Sequence, residues 1–221
     1  MRIAARFNGP PGSGNGGYAC GLLAADLRLA PAEVTLRRPP PLETDLTVVR
    51  AETGGRALSG DELIAEARQV AADNPAVVPP VSLDAAAAIS KEYPGLREHP
   101  FPTCYVCGPD RADGLALFPG ILPDGRTATP WHVPGDVSAV TMWAALDCPG
   151  GWSVIGPNGG RPYVLGRLAA WIEALPEPGD TCVVMGAHLG GAGRKADVLS
   201  TVYSPKGTVL ATARATWIAL P

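Results

Sequence analysis

The sequence predicts an α+β protein of two tandem modules, each a helix wrapped by a strongly curved antiparallel sheet, and three observations carry that expectation. The order strand, helix, then a run of strands occurs twice along the 221 residues. A short pattern, Pro41-x-x-x-Asp45-x-x-Val48-Val49, returns as Pro176-x-x-x-Asp180-x-x-Val183-Val184, 135 residues further on. Near the end, Val209, Ala211, Ala213, Ala215 and Trp217 alternate with Thr208, Leu210, Thr212, Arg214 and Thr216, the period-two signature of a strand with one buried face. A second echo, Ala65-x-Ala67-Arg68 with Ala211-x-Ala213-Arg214, is offset by 146, so an insertion of about eleven residues in the intervening hairpin keeps both matches in one alignment.

The elements follow in order. A strand is expected over Arg2–Phe7, then the glycine-rich stretch 9–17, then a buried helix from Tyr18 to Leu29 that stops before Pro31. An antiparallel meander comes next, with strands at Val34–Leu36, Leu46–Val49 and Leu63–Ala67 and turns at Thr53-Gly54-Gly55 and Ser59-Gly60-Asp61. Ser82 or Asp84 caps a short helix to about Glu92, which Pro94-Gly95 ends. Strands resume at Leu115–Phe118 and Thr127–Trp131 around the turn Pro123-Asp124-Gly125. Asp136 or Ser138 caps a second main helix running to Asp147, closed by Cys148-Pro149-Gly150-Gly151, and strands complete the chain. The expected division is an N-terminal module over 1–95, a crossing segment over 96–113 and a C-terminal module over 114–221. Two such sheets joined edge to edge hide strand edges that otherwise invite aggregation.

Bulk properties narrow the function classes. A formal charge of −3, with no block of like charge, gives no electrostatic reason for a nucleic-acid or anionic-membrane partner. No run approaches the roughly 20 apolar residues needed to cross a bilayer, and the start resembles no signal peptide, so a cytoplasmic protein is expected. Five cysteines, odd in number and scattered, point to reduced thiols instead of a disulfide framework. A small-molecule ligand is the expected partner.

Local strings sharpen this. Cys104-Tyr-Val-Cys-Gly-Pro109 followed by Gly114-Leu-Ala-Leu117 resembles the opening of phenylacetate-thioesterase-like (PaaI-like) hotdog proteins, and Ala144-Ala-Leu-Asp147 resembles that family's helix. The resemblance implies a double hotdog of the thioesterase superfamily, hydrolysis of an acyl-thioester on coenzyme A or a carrier protein, no cofactor, and a homodimer. In that family a His- or Asn-Gly-Gly opens the helix and an acidic residue lies one to two turns into it. Here the two are split: Asn15-Gly16-Gly17 opens the first helix, whose Asp26 lies at a longer spacing, and Asp147 lies on the second, which lacks the Gly-Gly. One composite site per chain is therefore implied, between the two central helices, with Asn15 and Asp147 as its catalytic pair and Gly16, Gly17 and Thr141 toward the substrate.

Each residue also has a plainer reading. Unpaired N–H groups at the Asn15-Gly16-Gly17 helix start can hold a developing oxyanion, or the glycines only let the chain turn. Asp147 can serve as general base or nucleophile; at a helix C-terminus it is electrostatically misplaced, unless it bonds nearby backbone or Arg161. Thr141 can orient water or substrate, or simply pack. Arg37-Arg38 and Arg194-Lys195 can meet coenzyme A phosphates, or be solvated strand ends. Gly12-x-Gly14-x-x-Gly17 matches a dinucleotide fingerprint formally, but strands follow it in place of the alternation that fold requires. Cys104-x-x-Cys107, with His99 or His132, suggests a metal or redox site, yet no second pair exists and four ligands are usual, so a turn and no metal are expected. No Gly-x-Ser-x-Gly surrounds a serine, and a hotdog dehydratase would want a histidine near Asn15. The alternative to hydrolysis is a non-catalytic acyl or small-ligand binder that has kept the fold and lost the chemistry.

Overall fold

Capping chemistry sets where the helices begin. In the computed structural model, which describes residues 1–73, 76–156 and 161–221, Asn15 caps α1 (Gly16–Leu27), and Arg28 ends it in the left-handed conformation. Strands β1 (Ala32–Leu36), β2 (Thr47–Ala51), β3 (Gly54–Ser59) and β4 (Glu62–Gln69) follow. Ser82 caps α2 (Leu83–Ser90), and Ser138 caps α3 (Ala139–Ala145), each accepting a hydrogen bond from the backbone N–H three residues on. Between these helices lie β5 (Gly120–Ile121) and β6 (Thr127–His132); after them come α4 (Cys148–Ile155), β7 (Tyr163–Ile172), β8 (Thr181–Ala192), β9 (Lys195–Tyr203) and β10 (Val209–Ala219).

The strands make one open antiparallel sheet in the order β2-β3-β4-β1-β7-β10-β9-β8-β6-β5. Its two halves have the same wiring, because β2-β3-β4-β1 matches β8-β9-β10-β7 strand for strand. Both sequence echoes fall on matched strands: Val48-Val49 on β2 with Val183-Val184 on β8, and Ala65–Arg68 on β4 with Ala211–Arg214 on β10. Much of the extra length sits in the β8–β9 hairpin, whose strands of 12 and 9 residues replace strands of 5 and 6. The halves join at β1 and β7, where Ala32 faces Ala170 and Val34 faces Leu168, so neither strand is an edge. This is a double hotdog.

Three local expectations fail, each for an identifiable reason. Residues 2–7 form no sheet strand; Arg2 makes a single bridge to Asp45 and Ala5–Phe7 close into a 3-10 turn, leaving a remnant beside the entry to β2 where β6 stands beside β8. Leu115–Phe118 is not a strand because its backbone pairs locally, Leu115 N–H with the Tyr105 carbonyl and Leu117 N–H with that of Val106. Gly54 and Gly55 open β3 instead of forming a turn.

The fourth correction matters most. Cys148-Pro149-Gly150-Gly151 does not stop a helix; it is the first turn of α4. Proline costs nothing at that position, since its missing N–H would have no intrahelical partner. The glycines bring the helix close to the sheet: a Cβ on Gly150 would stand 2.7 Å from Ser200 Oγ, and one on Gly151 would collide with the Trp217 ring. Gly186 on β8 completes the contact from below, where a Cβ would strike the Pro149 carbonyl. We expect Gly186→Ala to destabilise the fold by about 1–3 kcal/mol, the usual cost of overpacking, read as a lower urea midpoint at unchanged m-value.

Helix α1 packs on β1–β4 and against α3, α4 packs on β6, β8 and β9, and α2 lies over β5 and β6. Most of the core is one continuous cluster spanning both halves, from Leu23 and Val34 to Trp152 and Leu168. Among the described residues no helix is long and apolar enough to cross a membrane.

Candidate functional site

Every helix N-terminus leaves four backbone N–H groups that the helix cannot satisfy. At α1 three of them have partners: Asn15 N–H donates to the Phe7 carbonyl at 2.7 Å, Gly17 N–H to Asp147 Oδ2 at 2.9 Å, and Tyr18 N–H to Asn15 Oδ1 at 2.9 Å. Among the described residues none is found for Gly16 N–H, and Gly16 lines a cavity of about 380 Å³. Asn15 Nδ2 also donates to Asp147 Oδ2, at 3.1 Å, and approaches Cys104 Sγ at 3.8 Å. Residues 130 apart are thereby joined across the two halves of the molecule.

Asp147 lies between α3 and α4, at the N-cap position of α4, yet its side chain caps neither helix. It points instead at the positive end of the α1 dipole, so the electrostatic misplacement expected from the sequence does not exist. Arg161 is not its partner; that guanidinium donates to the Leu220 carbonyl. Asp147 is 2% exposed, and while Oδ2 accepts two hydrogen bonds, Oδ1 has none. A buried polar atom without a partner is costly, typically about 1–3 kcal/mol, and such atoms in folded proteins ask for an explanation. Burial pushes the carboxyl up to about 7; the Gly17 and Asn15 hydrogen bonds oppose that rise and the neighbouring Cys104 adds to it.

The cavity above Asp147 is apolar. Leu36, Phe101, Trp152, Leu165, Trp217 and Ile218 line it, from both halves of the chain and from the crossing segment. Its volume falls within the range of small-molecule sites, and a few polar groups converging at the floor of an apolar pocket is their usual design. Arg37 and Arg38 also line it, half-exposed and paired with Glu66 and Glu62.

Of the sequence candidates, Asn15, Gly17 and Asp147 meet directly, and Gly16 stands beside them at the cavity wall. Thr141 does not reach the cavity: it lies in the first turn of α3, where its Oγ1 pairs with Ser138 Oγ at 3.1 Å. Arg194 and Lys195, at the β8–β9 turn, do not line it either. The sequence reading offered His99 as a partner of Cys104 and Cys107 and missed Cys148; all four line the cavity. All three thiols are buried; hydrogen bonds from Cys107 and Cys148 hold Cys104 well below the usual range, and burial pushes the other two up.

No protein-family model matches the sequence, and no curated protein is similar to it. Solved structures are similar over the whole chain. A proposed thioesterase from Novosphingobium aromaticivorans superposes with a TM-score of 0.64 at 17% identity, covering 100% of this chain and 94% of that one. A conserved protein of unknown function with a hotdog fold, from Alicyclobacillus acidocaldarius, gives 0.62 at 13% identity, covering 100% and 92%. The TesB protein of Mycobacterium avium subsp. paratuberculosis gives 0.60 at 13% identity, covering 100% and 91%. At this distance the likeness speaks for architecture, and the chain has the hotdog fold in its tandem form.

Proposed function

We propose that this protein hydrolyses an acyl-thioester, with the acyl chain in the apolar cavity and Asp147 attacking through its free Oδ1, as base on a water or as nucleophile. The observation that carries the reading is the asymmetry of that carboxylate. One oxygen is fixed by Gly17 N–H and Asn15, the other is buried without a partner, and the residue lines a pocket of ligand size. A carboxylate so held is preorganised, and low polarity around it makes it a stronger base or nucleophile than one in water. Since Asp147 occupies Gly17 N–H, the thioester oxygen falls to Gly16 N–H, next along the same helix start. Titrating a panel of acyl-CoAs of varied chain length and reading free thiol tests the activity. No thiol release from any of them, or from acyl-carrier protein, overturns it.

Arg37 and Arg38 are the groups at the cavity that suit coenzyme A phosphates. Their double replacement by alanine is expected to raise KM for acyl-CoA about tenfold, the loss of one or two charge-assisted hydrogen bonds, with kcat unchanged. KM and kcat measured on acyl-CoA and on a short acyl-pantetheine check it, because the phosphate-poor substrate should not respond. A homodimer and a cytoplasmic location belong to the same reading.

One observation favours a second reading, a non-catalytic acyl binder: Gly17 N–H is engaged by the protein's own carboxylate. A rise in Tm with a non-hydrolysable acyl-CoA thioether, together with no thiol release from acyl-CoA, would select it.

A further inference from the structure

We propose that His99, Cys104, Cys107 and Cys148 form a closed tetrahedral binding site for zinc(II). The Sγ atoms of the three cysteines all lie within 4.8 Å of one another, and His99 Nε2 stands 3.4 Å from Cys107 Sγ. On a tetrahedron with metal–sulfur bonds of about 2.3 Å and a metal–nitrogen bond of about 2.0 Å, ligand atoms are about 3.5–3.8 Å apart, so the three sulfurs close on one ion by contraction, while His99, which stands beside Cys107 but outside the three-sulfur cluster, turns toward the other two to complete the set. The cysteines are free and buried, and they arrive from separate parts of the chain. Cys104 and Cys107 sit on a turn closed by the Gly108 N–H to Cys104 carbonyl bond, and Cys148 is the first residue of α4.

The spacing of the first two cysteines is that of a zinc half-site, and the fold supplies the second half that the sequence hides. Three soft sulfurs and one imidazole in a tetrahedral arrangement select zinc over the hard divalent cations. Uptake displaces the protons that the thiols still hold. His99 Nδ1 accepts the Phe101 N–H at 2.8 Å, which places the ring proton on Nε2, toward Cys107. Coordination through Nε2 moves that proton to Nδ1 at the expense of the Phe101 contact. The sulfurs therefore supply most of the affinity, and His99 closes the fourth position. With four protein ligands the metal has a structural role: it fastens the crossing segment to the start of α4, one residue beyond Asp147. The inference stands whether or not Asp147 is catalytic.

The test uses the full chain, purified without chelator and kept reduced. Elemental analysis is expected to give one zinc per chain, and exchange with cobalt(II) an intense visible spectrum of tetrahedral type with a thiolate-to-cobalt charge-transfer band. Cys148→Ser is expected to weaken metal binding by more than about 100-fold, beyond what losing an outer-shell partner costs, while Cys182→Ser, on β8, leaves it unchanged. His99→Ala keeps the charge-transfer band and shifts the visible bands. Metal-free reduced protein that develops no charge-transfer band with cobalt overturns the site. So does full affinity in Cys148→Ser, or a Cys104–Cys107 disulfide in freshly alkylated protein; an unchanged visible spectrum in His99→Ala overturns the four-ligand set. The cobalt spectrum of the unaltered chain decides the matter even where a cysteine variant fails to fold.

Discussion

Asp147→Asn is expected to reduce thiol release from the best acyl-CoA by about 10²–10⁴-fold, the usual contribution of a positioned general base, while the fold persists. The side chain of asparagine has the same shape. Its amide oxygen can take the place of Oδ2 and accept from Gly17 N–H and Asn15 Nδ2, which leaves the amide nitrogen in the place of Oδ1. Geometry is then kept and basicity removed. Stability should hold or rise, because a neutral amide costs less to bury than a carboxylate whose second oxygen has no partner. Steady-state rates, far-UV circular dichroism and thermal unfolding of the two proteins separate these effects. An unchanged rate removes Asp147 from the chemistry; a lost rate with a collapsed Tm assigns it to structure alone.

The sequence made some of this legible because the deciding physics is local. Asn15, Ser82 and Ser138 announce helix starts through side chains that bond N–H groups three residues on. The echoes on β2 and β8, and on β4 and β10, mark matched strands because each half must present the same face to its own helix. What stayed hidden depends on approach between distant segments. Pro149-Gly150-Gly151 reads as a helix stop on propensity, and is helical because the sheet beneath requires small residues there. Cys148 looks like a lone cysteine until α4 carries it to Cys104 and Cys107. The meeting of Asp147 with the α1 N-terminus was reachable only by resemblance to hotdog thioesterases, since nothing in the spacing of residues 17 and 147 specifies contact. Thr141 stands apart from the cavity for a local reason: a threonine three residues after the capping serine is positioned to pair with it.

Gly17→Ala is expected to damage both stability and turnover, although alanine is the better helix former. A Cβ at position 17 would stand 2.6 Å from the Trp143 carbonyl oxygen and 2.6 Å from Asp147 Cβ, distances that no rotamer change relieves, because the first obstacle is backbone. Propensity gains about 1 kcal/mol from the exchange, and overpacking costs typically 1–3 kcal/mol and occasionally more. The collision wins, since α1 must move away from α3 as a body; we expect a net loss of about 2 kcal/mol in urea unfolding. That movement lengthens the Gly17–Asp147 bond, and misplacement of a reacting group by about 1 Å costs on the order of 10²-fold in rate. Gly135→Ala is the control: a Cβ there meets nothing within 4 Å, so both stability and rate should stay at the wild-type level. Gly16→Ala should also lose stability, because the methyl group would stand 2.8 Å from Leu165 Cβ, an atom that moves only with the backbone of β7. If Gly17→Ala instead matches the Gly135 control in both measurements, α1 and α3 are not in the close contact described, and the carboxylate of Asp147 is not held by the α1 N-terminus.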